Sequence, residues 1–296
     1  MVTLTYAAIT PARDEAENLA RLASCLLEQT ERPLEWIVVD DGSVDGSREI
    51  VQALGDEYSW MRAISSPGVD THAGPLETGR VGGRDVVAFK HGVSALRQRP
   101  DVVFKLDADV SFEPDFFARL LDALEADPRL GIAGGECLEL EHGEWRPRNV
   151  TGGHVRGATR GYRWSCFEDV SPLTEQLGWD GIDEVKARLR GWETRSIGDV
   201  TFRHHRRVGE RDGAWRSYES QGATARFMGY RMPYLVLRSL FRMLDDPRSL
   251  GMVLGWLKAA RDRRPRYDDP EVLRYIRAQQ RLTRVPLRAL EALGRR

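Results

Sequence analysis

The sequence predicts an α/β protein built on a mostly parallel, doubly wound sheet. Three observations carry that expectation. Short apolar runs alternate with segments of helical spacing over the first 135 residues. The first two runs, Thr3 to Thr10 and Trp36 to Val39, begin about 30 residues apart, which is one strand-helix-strand unit. The second run and the run from Val102 end in acidic clusters, Asp40-Asp41-Gly42-Ser43 and Asp107-Ala108-Asp109, where strands of such a sheet present their carboxyl ends to ligands.

Thr3 to Thr10 reads as the first strand, stopped by Pro11. Leu19, Leu22, Ala23, Leu26 and Leu27 then recur at helical spacing, with Asp14, Glu15 and Glu17 placed early, where the helix dipole favours negative charge. Trp36 to Val39 is the second strand, and Asp45-Gly46-Ser47 leads into a helix bearing Ile50, Val51 and Leu54. Met61 to Ser65 is a weak third strand. Ser66 to Gly83 is a glycine-rich loop containing Arg80, and from Arg84 a helix carries Val87, Ala88, His91 and Ala95 back to the sheet. Val102 to Leu106 is the fourth strand, Pro114 opens a helix with Phe116, Phe117, Leu120, Leu121 and Leu124, and Ile132 and Ala133 precede Gly134-Gly135.

From Glu136 to Trp164 the pattern is irregular and rich in Gly, Arg and Trp, and no element is assigned there; such a segment within an ordered chain is more often functional than padding. Order returns with a helix through Val185 and Leu189, a turn at Gly191, and a strand from Thr194 to Phe202 followed by His204-His205. No internal repeat is visible.

Composition narrows the function classes. With 41% hydrophobic and 30% charged residues and no low-complexity tract, the chain is a globular protein. A formal charge of -1 argues against a nucleic-acid partner for the whole chain. Cys25, Cys137 and Cys166 are odd in number and far apart, which suggests neither a disulfide framework nor a Cys-x-x-Cys metal site and points to the reducing cytoplasm. The first residues do not form a secretory leader, and no apolar run is long enough to span a bilayer. The charge is uneven: from Arg226 onward seventeen Lys and Arg face seven Asp and Glu, a net +10, leaving -11 on the preceding residues.

Asp107 and Asp109, at i and i+2 after a buried strand, can face one crevice, where a single divalent ion would hold both and offer open positions to a phosphate. Alone, the pair is weak evidence and fits a solvated turn better. Its company is more specific. Pro11, Arg13 and Glu15 after the first strand, Val38 to Ser43 with Asp45 after the second, and Leu106-Asp107-Ala108-Asp109 together resemble the nucleotide-binding half of family 2 glycosyltransferases. The likeness covers the first 135 residues well, the stretch to His205 less fully and the tail only loosely.

The resemblance implies a GT-A type fold. It implies nucleotide-sugar binding by 1–135, an acceptor-side subdomain with the catalytic base in 136–208 of the same domain, and a basic amphipathic helical extension over 209–296. It implies that Pro11, Arg13 and Glu15 contact the nucleotide, Glu15 near base or ribose, and that Asp41 accepts a hydrogen bond from a ring N–H. Asp107 would lie near the ribose, Arg84 against the diphosphate, and Asp109 on a Mn2+ or Mg2+ ion, with His204 or His205 as a further ligand. The family's acidic motif is matched by Asp180-Gly181-Ile182-Asp183-Glu184, with the usual Glu-Asp order reversed. Asp183 is the first choice as base, Asp180 the second, and Glu184 stays open; all three also suit a helix N-terminus.

Trp164 and Trp179 fit either sugar stacking or core packing, and Gly152, Gly153, His154, Arg156 and Gly157 fit a closing loop or a plain connection. In the tail, Leu235, Leu237, Leu240, Phe241 and Leu244 are interleaved with Arg231, Arg238 and Arg242, and Met252, Val253, Leu254, Trp256 and Leu257 run into Lys258, Arg261, Arg263, Arg264 and Arg266. Such helices suit an anionic membrane surface on the inner face of the cell membrane, or packing on protein. The expected activity is metal-dependent, inverting transfer of a sugar from a nucleoside diphosphate donor to a hydroxyl of a glycan or lipid-linked acceptor, serving polysaccharide assembly. A sugar-nucleotide-forming nucleotidyltransferase fits less well, because Thr10 to Glu15 is not a Gly-rich phosphate loop. A non-catalytic nucleotide-sugar binder would not need Asp41, Asp109 and Asp183 together.

Overall fold

The computed structural model describes residues 4–66, 83–141, 143–148, 154–206, 213–244 and 246–281. The chain forms two compact units, Met1–His205 and Arg206–Arg296.

Among the described residues the first unit holds nine strands in one sheet, ordered β3-β2-β1-β4-β8-β6-β9-β5, with β7 paired to β6. In chain order these are β1 (Tyr6–Ala12), β2 (Glu35–Asp40), β3 (Met61–Ser65), β4 (Val102–Leu106), β5 (Val110–Phe112), β6 (Leu130–Glu141), β7 (Glu144–Pro147), β8 (Thr159–Arg163) and β9 (Glu193–His204). The helices are α1 (Ala16–Leu27), α2 (Ser47–Glu57), α3 (Arg84–Ser94), α4 (Phe116–Ala126), α5 (Trp164–Val170) and α6 (Trp179–Leu189).

The β3-β2-β1-β4 section is wholly parallel, as the alternation of strand and helix requires. Beyond β4 the sheet is mixed: β8 runs antiparallel to β4 and β6, while β6 and β9 are parallel. The segment left unassigned in sequence thus supplies the second half of β6, all of β7 and β8, and an edge of the site.

Every residue of β2 and β4 is buried, which explains their unbroken apolar runs. Successive side chains feed opposite layers. Ala8, Trp36, Val38 and Phe104 pack with Leu19 and Leu22 of α1, Val51 of α2 and Phe117 of α4. Ile9, Ile37, Val39 and Val103 pack with Phe89 of α3, Cys166 of α5 and Trp179 of α6. The sheet is therefore a middle layer whose parallel strands all point their carboxyl ends at one edge.

The second unit contains α7 (Ala214–Phe227), α8 (Met232–Met243), a 3-10 turn (Pro247–Leu250), α9 (Gly251–Arg261) and α10 (Pro270–Gln279). The α7 and α9 backbones touch: a Cβ on Gly222 would lie 1.9 Å from the Met252 carbonyl oxygen, and one on Gly255 2.0 Å from that of Glu219. Only glycine permits this crossing. Ala225, Leu235 and Met252 form its core, whereas Leu237, Leu240, Phe241, Leu244, Leu254 and Leu257 are exposed. No helix among the described residues is long and apolar enough to cross a membrane.

Candidate active site

The loops after β1 and β2 are sewn together by short polar side chains. Asp14 takes a left-handed backbone (φ 53°), its N–H donates to Ser43 Oγ (3.0 Å), and its carboxylate accepts from the Val44 N–H (2.8 Å). The Glu15 N–H donates to Ser47 Oγ (2.8 Å), and Asp45 accepts from the Ala16 N–H (2.9 Å). Glu15 is itself buried and accepts from Asn18 Nδ2 (2.6 Å). Pro11 lies in register with Val39, and Arg13 is half-buried beside Asp14.

Asp41, 6% exposed, is gripped by Arg84: Nε donates to Oδ2 at 3.2 Å and NH2 donates to Oδ1. The base-reading carboxylate and the diphosphate-reading arginine expected from sequence are thus partners of each other. The next residue, Asp85, lies 3.6 Å from Lys105 Nζ, and Lys105 also donates to Asp107. The first turn of α3 therefore joins the ends of β2 and β4. Gly83 fixes that turn: its φ is +70°, and a Cβ there would lie 2.4 Å from the Glu175 backbone.

Beyond β4, Asp109 Oδ1 stands 3.2 Å from His204 Nε2, because β5 and β9 pair Val110 with His204. Asp107, Asp109 and His204 bring one ligand atom each to within 4.8 Å of one another. His204 Nδ1 is buried and has no hydrogen-bond partner among the described residues. Two carboxylates and an imidazole with an unsatisfied nitrogen form a donor set suited to Mn2+ or Mg2+. His205 does not join this group. It lies instead beside Ser111 Oγ (2.7 Å) and the Trp145 ring.

On the acceptor side, Asp183 and Glu184 face inward. Arg160 is fully buried and donates to Asp183 Oδ1 and to Glu184 Oε1, both at 2.7 Å, and the Tyr162 hydroxyl donates to Asp183 Oδ2. Burial pushes the Asp183 carboxyl up to about 7, against the opposing pull of Arg160. Burial also pushes Glu184 up, but the neighbouring His154 and Arg160 charges more than reverse this and hold it below the usual carboxylate range. His154 Nδ1 lies 3.0 Å from Glu184 and Nε2 3.6 Å from Asp180. Burial lowers the His154 pKa, and the Glu184 and Asp180 charges outweigh it, so the imidazole titrates above its ordinary value. The Asp180 side chain is 16% exposed, against 2% for Asp183 and 5% for Glu184.

Residues 7–79 match the family model described as glycosyl transferase family 2. An undecaprenyl-phosphate mannosyltransferase of Micrococcus luteus is 27% identical over 207 residues, 66% of this chain and 75% of that protein. Among solved structures, a mannosyltransferase from Pyrobaculum calidifontis in complex with GDP-Man and Mn2+ superposes with a TM-score of 0.55 at 15% identity, covering 98% of this chain and 79% of that one. The glucosyl-3-phosphoglycerate synthase of Mycobacterium tuberculosis, with Mn2+, UDP and glucosyl-3-phosphoglycerate, gives 0.53 at 16% identity, over 75% of this chain and 78% of that one. Staphylococcus aureus TarS residues 1–349 give 0.58 at 16% identity, over 99% and 88%. Over residues 7–79 the chain is similar to the family 2 glycosyltransferases. Its fold is the GT-A type.

The structure places the remaining residues singled out in sequence as follows. Asp183, the first choice as base from sequence, lies in a buried ion pair with Arg160, while the Asp180 side chain is partly exposed beside His154. Trp179 is 2% exposed, its ring packed against the Lys105 and Arg160 cations, so it is a core residue rather than a sugar platform. Trp164 donates through Nε1 to Glu168 (2.9 Å). Arg80, Gly152 and Gly153 lie outside the described residues. Sequence reasoning missed Asp85, Lys105 and Arg160. Lys105 had a visible signal, since it shares the alternation of Asp107 and Asp109, whereas Arg160 had none.

Proposed function

We propose that this glycosyltransferase is metal-dependent and inverting, and that it transfers its sugar to a hydroxyl of a glycan or lipid-linked acceptor with Asp180 as the base. The observation that supports this reading is the continuity between the base and the donor edge. A Cβ at Gly157 would lie 3.9 Å from Asp180 Oδ2, the Gly157 carbonyl is 3.5 Å from Lys105 Nζ, and Lys105 holds Asp107. A hydroxyl attacking from the face opposite the diphosphate gives its proton to a carboxylate within hydrogen-bond reach. Asp180 is the most exposed of the three candidates.

Asp107, Asp109 and His204 would hold Mn2+ or Mg2+, which supplies Lewis-acid stabilisation for the charge gathering on the departing diphosphate. Arg84 presents a planar fork that suits a phosphate as well as a carboxylate. A bound diphosphate that draws Arg84 away from Asp41 leaves the Asp41 carboxylate to accept the N–H of the nucleotide base. Pro11, Arg13 and Glu15 border this position.

The Micrococcus luteus relative carries a lipid phosphate in its name. By analogy we place the acceptor of this chain at a lipid surface. The exposed Leu237, Leu240, Phe241, Leu254 and Leu257, on helices bearing Arg238, Arg242, Lys258 and Arg261, support peripheral association with anionic lipid.

Calorimetric titration of the full chain with UDP and with GDP, with and without Mn2+, tests the donor reading. Binding that needs Mn2+ and is lost in Asp109→Ala is expected. Failure of both nucleotides to bind in the presence of Mn2+ overturns it.

A further inference from the structure

We infer that Cys137, Glu139 and His204 form a second metal site, one that takes a thiolate-preferring divalent ion such as Zn2+ and shares its histidine with the Asp107 and Asp109 group. Cys137 and Glu139 are two residues apart on β6 and so project to the same side. The parallel register sets Glu139 opposite His204 and Cys137 opposite Phe202. The three side chains each bring a ligand atom to within 4.8 Å of the others, and the residues are 2%, 6% and 8% exposed. His204 Nδ1 is buried and finds no hydrogen-bond partner among the described residues, a separate sign that this imidazole lacks a ligand.

The two groups differ in the ion they suit. Asp107 and Asp109 offer hard oxygen donors. Cys137 replaces one of these by sulfur, giving a sulfur, oxygen and nitrogen set that leaves the fourth tetrahedral position to water, as zinc accepts. Zn2+ also stands well above Mn2+ in affinity for sites of this kind. Binding displaces the Cys137 thiol proton to solvent. Arg156 NH1, 3.3 Å from Glu139, and Arg148 Nε, 3.8 Å away, flank the carboxylate and orient it.

A neutral imidazole gives one nitrogen lone pair, so an ion at the second site removes His204 from the first. Zn2+ therefore inhibits the Mn2+-dependent reaction. This consequence rests on the function proposed above; the binding itself does not.

The test uses the full chain stripped of metal by a chelator, with Co2+ as the spectroscopic substitute for Zn2+. A thiolate-to-cobalt charge-transfer band is expected in the parent and in Asp109→Ala, displaced by Zn2+ and absent from Cys137→Ser and Cys137→Ala. Two cysteine variants, each checked by circular dichroism, guard against a folding defect in either. Zn2+ binding by competition with a chromophoric chelator should weaken in Cys137→Ser by at least the roughly 10–100-fold that loss of a supporting partner costs. No band, or a band that survives both cysteine variants, overturns the proposal. A band that is lost in Asp109→Ala also overturns it. If nucleotide binding proves independent of Mn2+ while the band follows Cys137, the second site stands and the functional reading falls.

Discussion

Asp183→Asn and Asp180→Asn should fail in different ways, and the contrast tests which carboxylate is the base. Asp183 accepts from Arg160 NH1 at 2.7 Å and from the Tyr162 hydroxyl, with both basic partner and acid buried. Removing one partner of a buried ion pair costs about 3–5 kcal/mol, because the other charge stays behind in a medium that solvates it poorly. The amide keeps the shape and one acceptor oxygen, Glu184 still holds Arg160, and burial already brings Asp183 up to about 7. These factors place the loss near the lower end, about 3 kcal/mol. For a unit of this size each kcal/mol shifts Tm by roughly 2–4 °C, so a fall of about 6–12 °C is expected. Asp180→Asn touches a partly exposed group 3.6 Å from His154 and should cost under about 1 kcal/mol, while kcat falls about 10²–10⁴-fold. Urea denaturation followed by tryptophan fluorescence, with single-turnover transfer from the nucleotide sugar that supports turnover, reads both quantities. Full transfer in Asp180→Asn would refute its role as base. It would also direct attention to a phosphate acceptor, which arrives ionised and needs none.

Three further outcomes follow from the geometry. His204→Ala should abolish the Mn2+ dependence of nucleotide binding while His205→Ala retains it; equal effects in calorimetry would contradict the register of β5 and β9. The His154 and Glu184 pair should stabilise the fold within a pH window. The raised His154 contributes fully below its unfolded value of about 6.5 and is lost as pH rises through its folded value, and the lowered Glu184 contributes above about 4.3 and is lost as pH falls through its folded value. The urea midpoint of His154→Ala should accordingly approach that of the parent above the imidazole range, and a gap that widens there would be the wrong sign. Leu240→Glu with Phe241→Glu should eliminate salt-sensitive co-sedimentation with anionic liposomes, since both side chains are exposed on α8; unchanged sedimentation would assign the face to another role.

The parallel half of the sheet was legible because its strands are buried on both faces and therefore read as unbroken apolar runs. The acidic residues ending β2 and β4 stood out by contrast with those runs. Strand β8, Thr159–Arg163, was not legible, because TRGYR carries two arginines and a glycine. It is a strand because the Arg160 charge is answered by Asp183 and Glu184, residues 23 and 24 positions away on α6. Local periodicity holds no trace of such a pairing. The histidine pair was ambiguous for a related reason: 204 and 205 are equivalent in sequence, and only the register opposite Val110 separates the one beside Asp109 from the one beside Ser111.

The same reasoning explains why the first turn of α3 matters more than its sequence suggests. Arg84 and Asp85 are adjacent, yet one reaches Asp41 at the end of β2 and the other Lys105 near the end of β4. Gly83 holds the turn against the Glu175 backbone, so the two side chains act from a common base. Under the proposed reading, a donor that takes Arg84 onto its diphosphate relieves Asp41 of its ion pair while Asp85 and Lys105 keep Asp107 in place. The carboxylate that reads the nucleotide base is thus exposed to it only when a phosphate is present. A nucleoside without phosphate must compete with the bidentate Arg84 for Asp41, and it should bind much more weakly than the diphosphate in calorimetry with Mn2+ present; equal affinities would refute the coupling.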